Sequence, residues 1–154
     1  MELDFSKKIK VQSNASMLTS LADVALAFRT AQLVTHNFHN LVKGITFFED
    51  HEFLGELYGK YEDAYDACIE RIIAFSGTAD VVGLTSKACA AAAQVSPDNK
   101  TSTEMFSIVL NLEKNFCAII KTAVPQSTDG TQNFLQGLAD ESEMRQYKIS
   151  QKIR

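Results

Sequence analysis

The sequence predicts an all-α fold: a four-helix bundle with a short helix in the long connection between the second and third main helices. Four long segments carry apolar residues at the i, i+3, i+4, i+7 spacing of one helix face. The chain also has only two prolines and seven glycines among its 154 residues, which suits long helices. The sequence contains no repeats and no internal linker. We therefore expect one domain over residues 15–154, preceded by a flexible N-terminal tail of residues 1–14.

The first two helices are predicted over residues 17–42 and 47–75, with Lys43-Gly44 as the break between them. Thr46 and Glu49 match the T-x-x-E capping box, so the second helix should begin there. Gly77 should end it in a left-handed conformation. The two apolar stripes, which predict the faces buried in the core, are Leu21, Val24, Phe28, Ala31, Val34, Phe38 and Leu41, then Leu54, Leu57, Tyr61, Tyr65, Cys68 and Ile72.

The second half of the chain predicts a short Ala-rich helix over about 84–94 and two more long helices. The third long helix, about 102–123, starts with a second capping box at Thr101 and Glu104 and ends before Pro125. Asp129-Gly130 predicts a turn, and the fourth helix is predicted to follow over about 131–153. Its basic end should complement the helix dipole, through Arg145, Lys148, Lys152 and Arg154.

Composition excludes several classes of protein. The net charge of −4 gives no global basic field for nucleic acid. We expect no membrane span, because no apolar run is long enough for one. The first residues lack the pattern of a secretory signal, so a cytoplasmic location is expected. The three cysteines form no C-x-x-C or zinc spacing, and we expect reduced core residues rather than disulfides.

The residues that carry chemistry are two histidines and two carboxylates, spaced H-x11-H-x14-D-x3-E: His39, His51, Asp66 and Glu70. Imidazoles with carboxylates suit a first-row transition metal such as iron. A tight hairpin can bring His39 and His51 together, and Asp66 and Glu70 share one helix face. However, fifteen residues of one helix place Asp66 about 22 Å from His51. The four groups can therefore meet only if a second copy packs antiparallel and offers its carboxylates to the histidines of the first.

With Arg71 after the last carboxylate, a Val-Lys-Gly turn and a Phe-Phe pair between the histidines, this pattern resembles the Dps family of miniature ferritins. The resemblance covers roughly residues 17–150 and is densest from His36 to Gly77. It implies a ferritin-like four-helix bundle that forms a homo-oligomer, a dodecamer in this family. It also implies a ferroxidase, with His39, His51, Asp66 and Glu70 as catalytic metal ligands. Such a protein oxidises Fe(II) with hydrogen peroxide or dioxygen, stores Fe(III) and protects against oxidative damage.

The chain departs from the Dps pattern at three positions. Asn40 follows the first histidine, where the family usually has a tryptophan thought to intercept radicals. Gly55 stands four residues after the second histidine, where Asp or Glu is frequent, so a second iron would lose a ligand. Asn133 replaces a common acid in a segment similar to one that lines the family's iron pores. His36 fits a common non-ligand position, which favours a supporting or surface role.

Two alternatives stay open. A ferritin with its metals inside one bundle is disfavoured because the sequence contains no Glu-x-x-His. A non-enzymatic, DNA-associated or structural shell protein with a weakened metal site remains the alternative to a ferroxidase. In Dps relatives a lysine-rich tail often binds DNA, and Lys7, Lys8 and Lys10 are a weak version of such a tail, so we expect any DNA binding to be weak and sensitive to salt.

Overall fold

The computed structural model describes residues 14–154, and these residues form five α-helices without a β-strand. The helices are α1 (Ala15–Leu41), α2 (Phe47–Ser76), α3 (Val81–Ala92), α4 (Ser102–Ala123) and α5 (Asp129–Lys152). A 3₁₀ turn, Val124–Gln126, contains Pro125 and separates α4 from α5. The predicted all-α bundle with a short helix in the long connection is confirmed. The N-terminal tail with Lys7, Lys8 and Lys10 lies outside the described residues.

The bundle consists of two helical hairpins joined by the long connection that holds α3. α1 packs mainly against α2, α4 packs against α5, and α1 also contacts α3 and α4. Ser102 at the start of α4 donates a hydrogen bond to Asp50 at the start of α2. These two helices therefore begin at the same end of the bundle and run parallel. A parallel pair needs a connection as long as the bundle, which residues 77–101 provide.

The core consists of the predicted apolar stripes, with one exception. Phe28, Tyr61 and Phe116 meet at its centre, where the rings of Phe28 and Phe116 stack 4.2 Å apart and that of Tyr61 lies 5.3 Å from Phe116. The exception is Leu41 in the last turn of α1, which is 48% exposed although Phe38 and Val42 on either side of it are buried. Burial of these stripes is what makes the separate helices one unit.

One predicted capping box is present and the other is wrong. At α4 the hydroxyl of Thr101 accepts a hydrogen bond from the backbone N–H of Glu104, whose carboxylate accepts one from the backbone N–H of Thr101. At α2, Thr46 is the residue before the helix, but its hydroxyl donates to the Asp50 carboxylate instead (2.6 Å). A buried carboxylate needs donors more than an exposed helix end does. Gly77 ends α2 with φ +81°, as predicted.

Other local predictions need correction. α3 begins at Val81, three residues earlier than predicted, because the side chain of Asp80 accepts a hydrogen bond from the backbone N–H of Gly83. Asp129-Gly130 is not a turn but the first two residues of α5. Only Cys68 is buried among the three cysteines; Cys89 is exposed and Cys117 half-buried, and none of them forms a disulfide.

Within residues 14–154, α1 alone is long and apolar enough to cross a membrane by length and composition, contrary to the sequence-based expectation. This is weak evidence for a span, because the core helix of a bundle passes the same test. The apolar stripe of α1 lies in the bundle core.

Candidate metal centre

His39 and His51 form a reciprocal pair across the α1–α2 hairpin. Nδ1 of His39 lies 2.8 Å from the backbone carbonyl oxygen of His51, and Nδ1 of His51 lies 2.9 Å from the carbonyl oxygen of His39. The two imidazole rings stack with centroids 3.7 Å apart. The expectation that the hairpin brings the two histidines together agrees with this geometry.

This pairing determines which ring nitrogen is available. A carbonyl oxygen can only accept, so Nδ1 of each ring must carry the hydrogen and donate it. In the neutral imidazole, Nε2 then keeps a free lone pair on both His39 and His51. Metal-binding histidines commonly use their other N–H in this way, which orients the ring and raises its basicity as a ligand. The pair can therefore supply two adjacent nitrogen ligands without rearrangement of its hydrogen bonds.

Aromatic side chains extend the histidine pair on both sides. Phe47 stacks on His51 with ring centroids 5.0 Å apart, and Tyr58 meets His39 edge-on at 5.3 Å. His36 stacks on Tyr58 at 4.3 Å, with its centroid 6.2 Å from that of His39. His36 thus supports the ring of Tyr58, which fits the supporting role expected for it.

Gly55 is the close neighbour of His39. A Cβ atom built on Gly55 would lie 3.2 Å from both Cε1 and Nδ1 of the His39 imidazole, closer than the usual carbon contact of about 3.5–4.0 Å. The ring thus occupies the space into which a side chain at this position would begin. Dps relatives frequently have an acidic residue at this position. In this chain the glycine leaves room for the His39 ring to lie where it does.

Asp66 and Glu70 lie exposed further along α2, away from the histidines. Both belong to the same uninterrupted helix as His51, so the separation along its axis remains about 22 Å. Neither carboxylate has a hydrogen bond or an ion pair with any residue in the described part of the chain. Within that part, no group of three or more His, Cys, Asp or Glu side chains could hold one metal ion. One chain thus brings together the histidines but not all four predicted ligands.

A buried polar network in the bundle core was missed by sequence reasoning. Glu113 is fully buried, and its Oε1 accepts hydrogen bonds from the hydroxyl of Tyr61 (2.5 Å) and from Nε of Arg145 (2.6 Å). Its Oε2 accepts one from the hydroxyl of Ser142 (2.6 Å). Arg145 was predicted to complement the helix dipole; it turns into the core instead because Glu113 requires a buried positive partner. The available signal was a carboxylate four residues after Val109 on the apolar face of α4.

The network changes the ionisation of its members. Burial raises the pKa of the Tyr61 phenol well above its ordinary value, and the negative charge of Glu113 raises it further. Burial alone would lower the pKa of Arg145, but its bond to Glu113 reverses the effect and raises it. At neutral pH the phenol of Tyr61 therefore stays protonated and the guanidinium of Arg145 stays charged.

Asp50 anchors the end of the bundle next to the histidine pair. Its carboxylate accepts hydrogen bonds from Thr46 and Ser102 and lies 2.8 Å from Nζ of Lys152 at the end of α5. Burial alone would raise the pKa of Asp50, but the bonds from Lys152, Ser102 and Thr46 outweigh it and lower the pKa. Asp50 thereby ties the start of α2 to α4 and α5.

Comparison with known proteins defines the class of this bundle. The family profile of the ferritin-like domain matches residues 21–154. No curated protein sequence matches the chain at a significant level. Among solved structures, Dps from Bacillus brevis superposes with a TM-score of 0.83 at 20% identity, covering 92% of this chain and 97% of that one. Dps from Staphylococcus aureus gives 0.81 at 20% identity, with 90% and 95% covered. Dps from Thermosynechococcus elongatus gives 0.78 at 17% identity, with 91% of each covered.

The chain belongs to the ferritin-like domain family, since the profile covers most of its length. Its fold is the one seen in the solved Dps proteins, which confirms the resemblance drawn from the histidine and carboxylate motif. At these identities the structural likeness establishes the fold alone.

Proposed function

We propose that this protein is a Dps-like ferroxidase and iron-storage protein that oxidises Fe(II) at a site shared by two subunits. His39 and His51 of one subunit bind the ion through Nε2, and Asp66 and Glu70 of a second subunit complete the ligand set. The observation that carries the proposal is the reciprocal histidine pair, which leaves both Nε2 atoms free for a metal.

The distribution of the ligands supports a shared site. A straight α2 separates the histidine pair from Asp66 and Glu70, and both carboxylates are exposed and free of hydrogen bonds within residues 14–154. An antiparallel copy would bring its carboxylates to the histidines, and the two-fold operation would form two identical sites. Large exposed apolar side chains also favour assembly, among them Ile45, Phe48 and Val82, which are 104%, 80% and 79% exposed. A closed homo-oligomer, the dodecamer implied by the Dps resemblance, would cover such surfaces.

The ligand set suits the reaction. Iron is the substrate here: two imidazoles and two carboxylates bind Fe(II), and the oxygen ligands favour the harder Fe(III). Oxidation by hydrogen peroxide or dioxygen is thus favoured, and Fe(III) can pass to a mineral inside the shell. Removal of Fe(II) and peroxide together would protect a cell from oxidative damage. A cytoplasmic location follows from this role as part of the proposal.

A complementation experiment tests the shared site. One variant carries His39→Ala with His51→Ala, and the other carries Asp66→Ala with Glu70→Ala. Each homo-oligomer should lose rapid Fe(II) oxidation, followed by Fe(III) absorbance after addition of peroxide or of dioxygen. Mixed oligomers, reassembled from both variants and purified through two different tags, should regain part of the activity, because an interface between unlike subunits carries one complete ligand set.

The matched control removes the same charge at the same spacing. Glu52→Ala with Glu56→Ala deletes two exposed carboxylates four residues apart on α2 and should leave oxidation unchanged. Verified mixed oligomers without activity, beside an active parent, would contradict the shared site. A parent that assembles but does not oxidise Fe(II) would instead favour the non-enzymatic shell protein.

A further inference from the structure

A cavity of about 520 Å³ lies at the end of the bundle where α2 and α4 begin and α5 ends. Its floor is apolar, since Phe106 and Ile149 are buried and Phe53 is half-buried. The rings of Phe53 and Phe106 lie tilted against each other with centroids 5.7 Å apart. Pockets of this size with an aromatic lining and a few polar groups are typical of sites for small organic molecules.

Two lysines of α5 line this cavity, and they differ in their partners. Lys152 lies 2.8 Å from the carboxylate of Asp50 and 3.0 Å from the hydroxyl oxygen of Thr46. Lys148 lies one helical turn earlier, on the same face of α5. It is exposed and has neither a hydrogen bond nor an ion pair with any group in residues 14–154. Lys148 therefore places an uncompensated positive charge beside an apolar floor.

Two carboxylates also line the cavity, and neither of them neutralises Lys148. Asp50 already pairs with Lys152, and its other carboxylate oxygen accepts two hydrogen bonds. Glu49 is exposed in the first turn of α2 and forms no ion pair within the described part of the chain. The N-termini of α2 and α4, which are the positive ends of their helix dipoles, also lie at this end of the bundle. An anion in the cavity thus meets one unpaired ammonium and two positive helix ends, against one exposed carboxylate.

We propose that this cavity binds an aromatic carboxylate, with its ring system on Phe53, Phe106 and Ile149 and its carboxylate on the ammonium of Lys148. Phenylalanine rings favour an aromatic ligand, because offset and edge-to-face ring pairs gain more than their buried area alone. Lys148 favours a carboxylate, because a hydrogen bond between two charged groups is stronger than one between neutral groups. The binding is non-covalent, requires no iron and does not rest on the proposed ferroxidase function.

Isothermal titration calorimetry of the assembled, metal-free protein with 2-naphthoate tests this site. We expect binding of one naphthoate per subunit. The neutral 2-naphthamide has the same ring system without the charge, and it should bind about tenfold more weakly because it loses the ionic hydrogen bond to Lys148.

Substitutions at the rim and in the floor should have different effects. Lys148→Gln should weaken naphthoate binding about tenfold and leave naphthamide binding unchanged, and Lys148→Arg should restore the affinity for naphthoate. Glu49→Gln removes a repelling charge and should strengthen naphthoate binding by about two- to fivefold. Phe53→Leu should weaken the binding of both molecules. Lys114→Gln, a control at an exposed lysine of α4 outside the cavity, should change neither.

Two results would contradict the assignment of the carboxylate to Lys148: an unchanged affinity for naphthoate in Lys148→Gln, or equal affinities of the parent for naphthoate and naphthamide. Absence of binding to the assembled parent would overturn the site itself and favour a neighbouring subunit as the occupant of the cavity. Circular dichroism and native mass show whether each variant keeps its fold and assembly. If Phe53→Leu fails to fold, the substitutions of the exposed Lys148 and Glu49 still decide the question.

Discussion

Two glycines of α2, Gly55 and Gly59, provide a sharp test of the histidine geometry. Replacement of a helical glycine by alanine stabilises a helix by about 0.5–1 kcal/mol when the new methyl group meets nothing. At Gly59 no atom lies within 4 Å of the added Cβ, so Gly59→Ala should show this full gain. In a chain of this size, 1 kcal/mol corresponds to a rise of about 2–4 °C in Tm.

At Gly55 the same methyl group meets His39. The added Cβ would lie 3.2 Å from two ring atoms, so the ring has to retreat by several tenths of an ångström. It has little room, since His51 stacks on it at 3.7 Å and the carbonyl of His51 holds its Nδ1 at 2.8 Å. Overpacking of this kind costs about 1–3 kcal/mol. The cost exceeds the gain in helix propensity, so Gly55→Ala should lower Tm while Gly59→Ala raises it.

The functional effect should separate the two variants further. Displacement of a ligating histidine from its orienting hydrogen bond typically costs about 10–100-fold in metal affinity or activity. Gly55→Ala should therefore slow Fe(II) oxidation by about that factor, measured by Fe(III) absorbance, and Gly59→Ala should leave it unchanged. Equal stabilisation of both variants with equal oxidation rates would refute the reasoning, because it would mean that the His39 ring is not held against Gly55.

Three further predictions concern the rest of the chain. Glu113→Ala leaves Arg145 buried without its partner and should lose about 3–5 kcal/mol in urea unfolding at fixed protein concentration, whereas the exposed Glu62→Ala should change stability by less than about 1 kcal/mol. Folding lowers the pKa of Asp50, so the ionised carboxylate stabilises the fold fully above about pH 3.9, its unfolded pKa. This stabilisation is lost as the pH falls through the lower folded pKa. The difference in unfolding free energy between the parent and Asp50→Asn should therefore close over that pH range. DNA retention in gel shifts should vanish near physiological salt, and removal of residues 1–11 should abolish any binding at low salt; a shift that persists well above physiological salt would contradict this.

The sequence by itself determined the helices and much of the candidate site. Helical periodicity is a local property, so the stripes of α1, α2 and α4 could be read directly, and the boundaries agree within a few residues. The spacing of His39 and His51 around a short turn indicated their approach. The distance from His51 to Asp66 along one helix indicated that a single chain cannot close the site. Each of these inferences depends only on the geometry of a helix and of a hairpin.

Only the tertiary structure decided the remaining features, because they depend on partners far apart in sequence. Glu113 meets Tyr61 and Arg145 across 52 and 32 residues, and Asp50 meets Ser102 across 52. The capping box predicted at Thr46 is absent for this reason. Other helices bury Asp50, and the threonine hydroxyl donates its hydrogen bond to that buried carboxylate. The reciprocal bonds of the histidines likewise required the packed hairpin. A buried polar group needs a hydrogen-bond partner, and packing of the folded chain decides which residue that is. The spacing of residues along the sequence does not identify it.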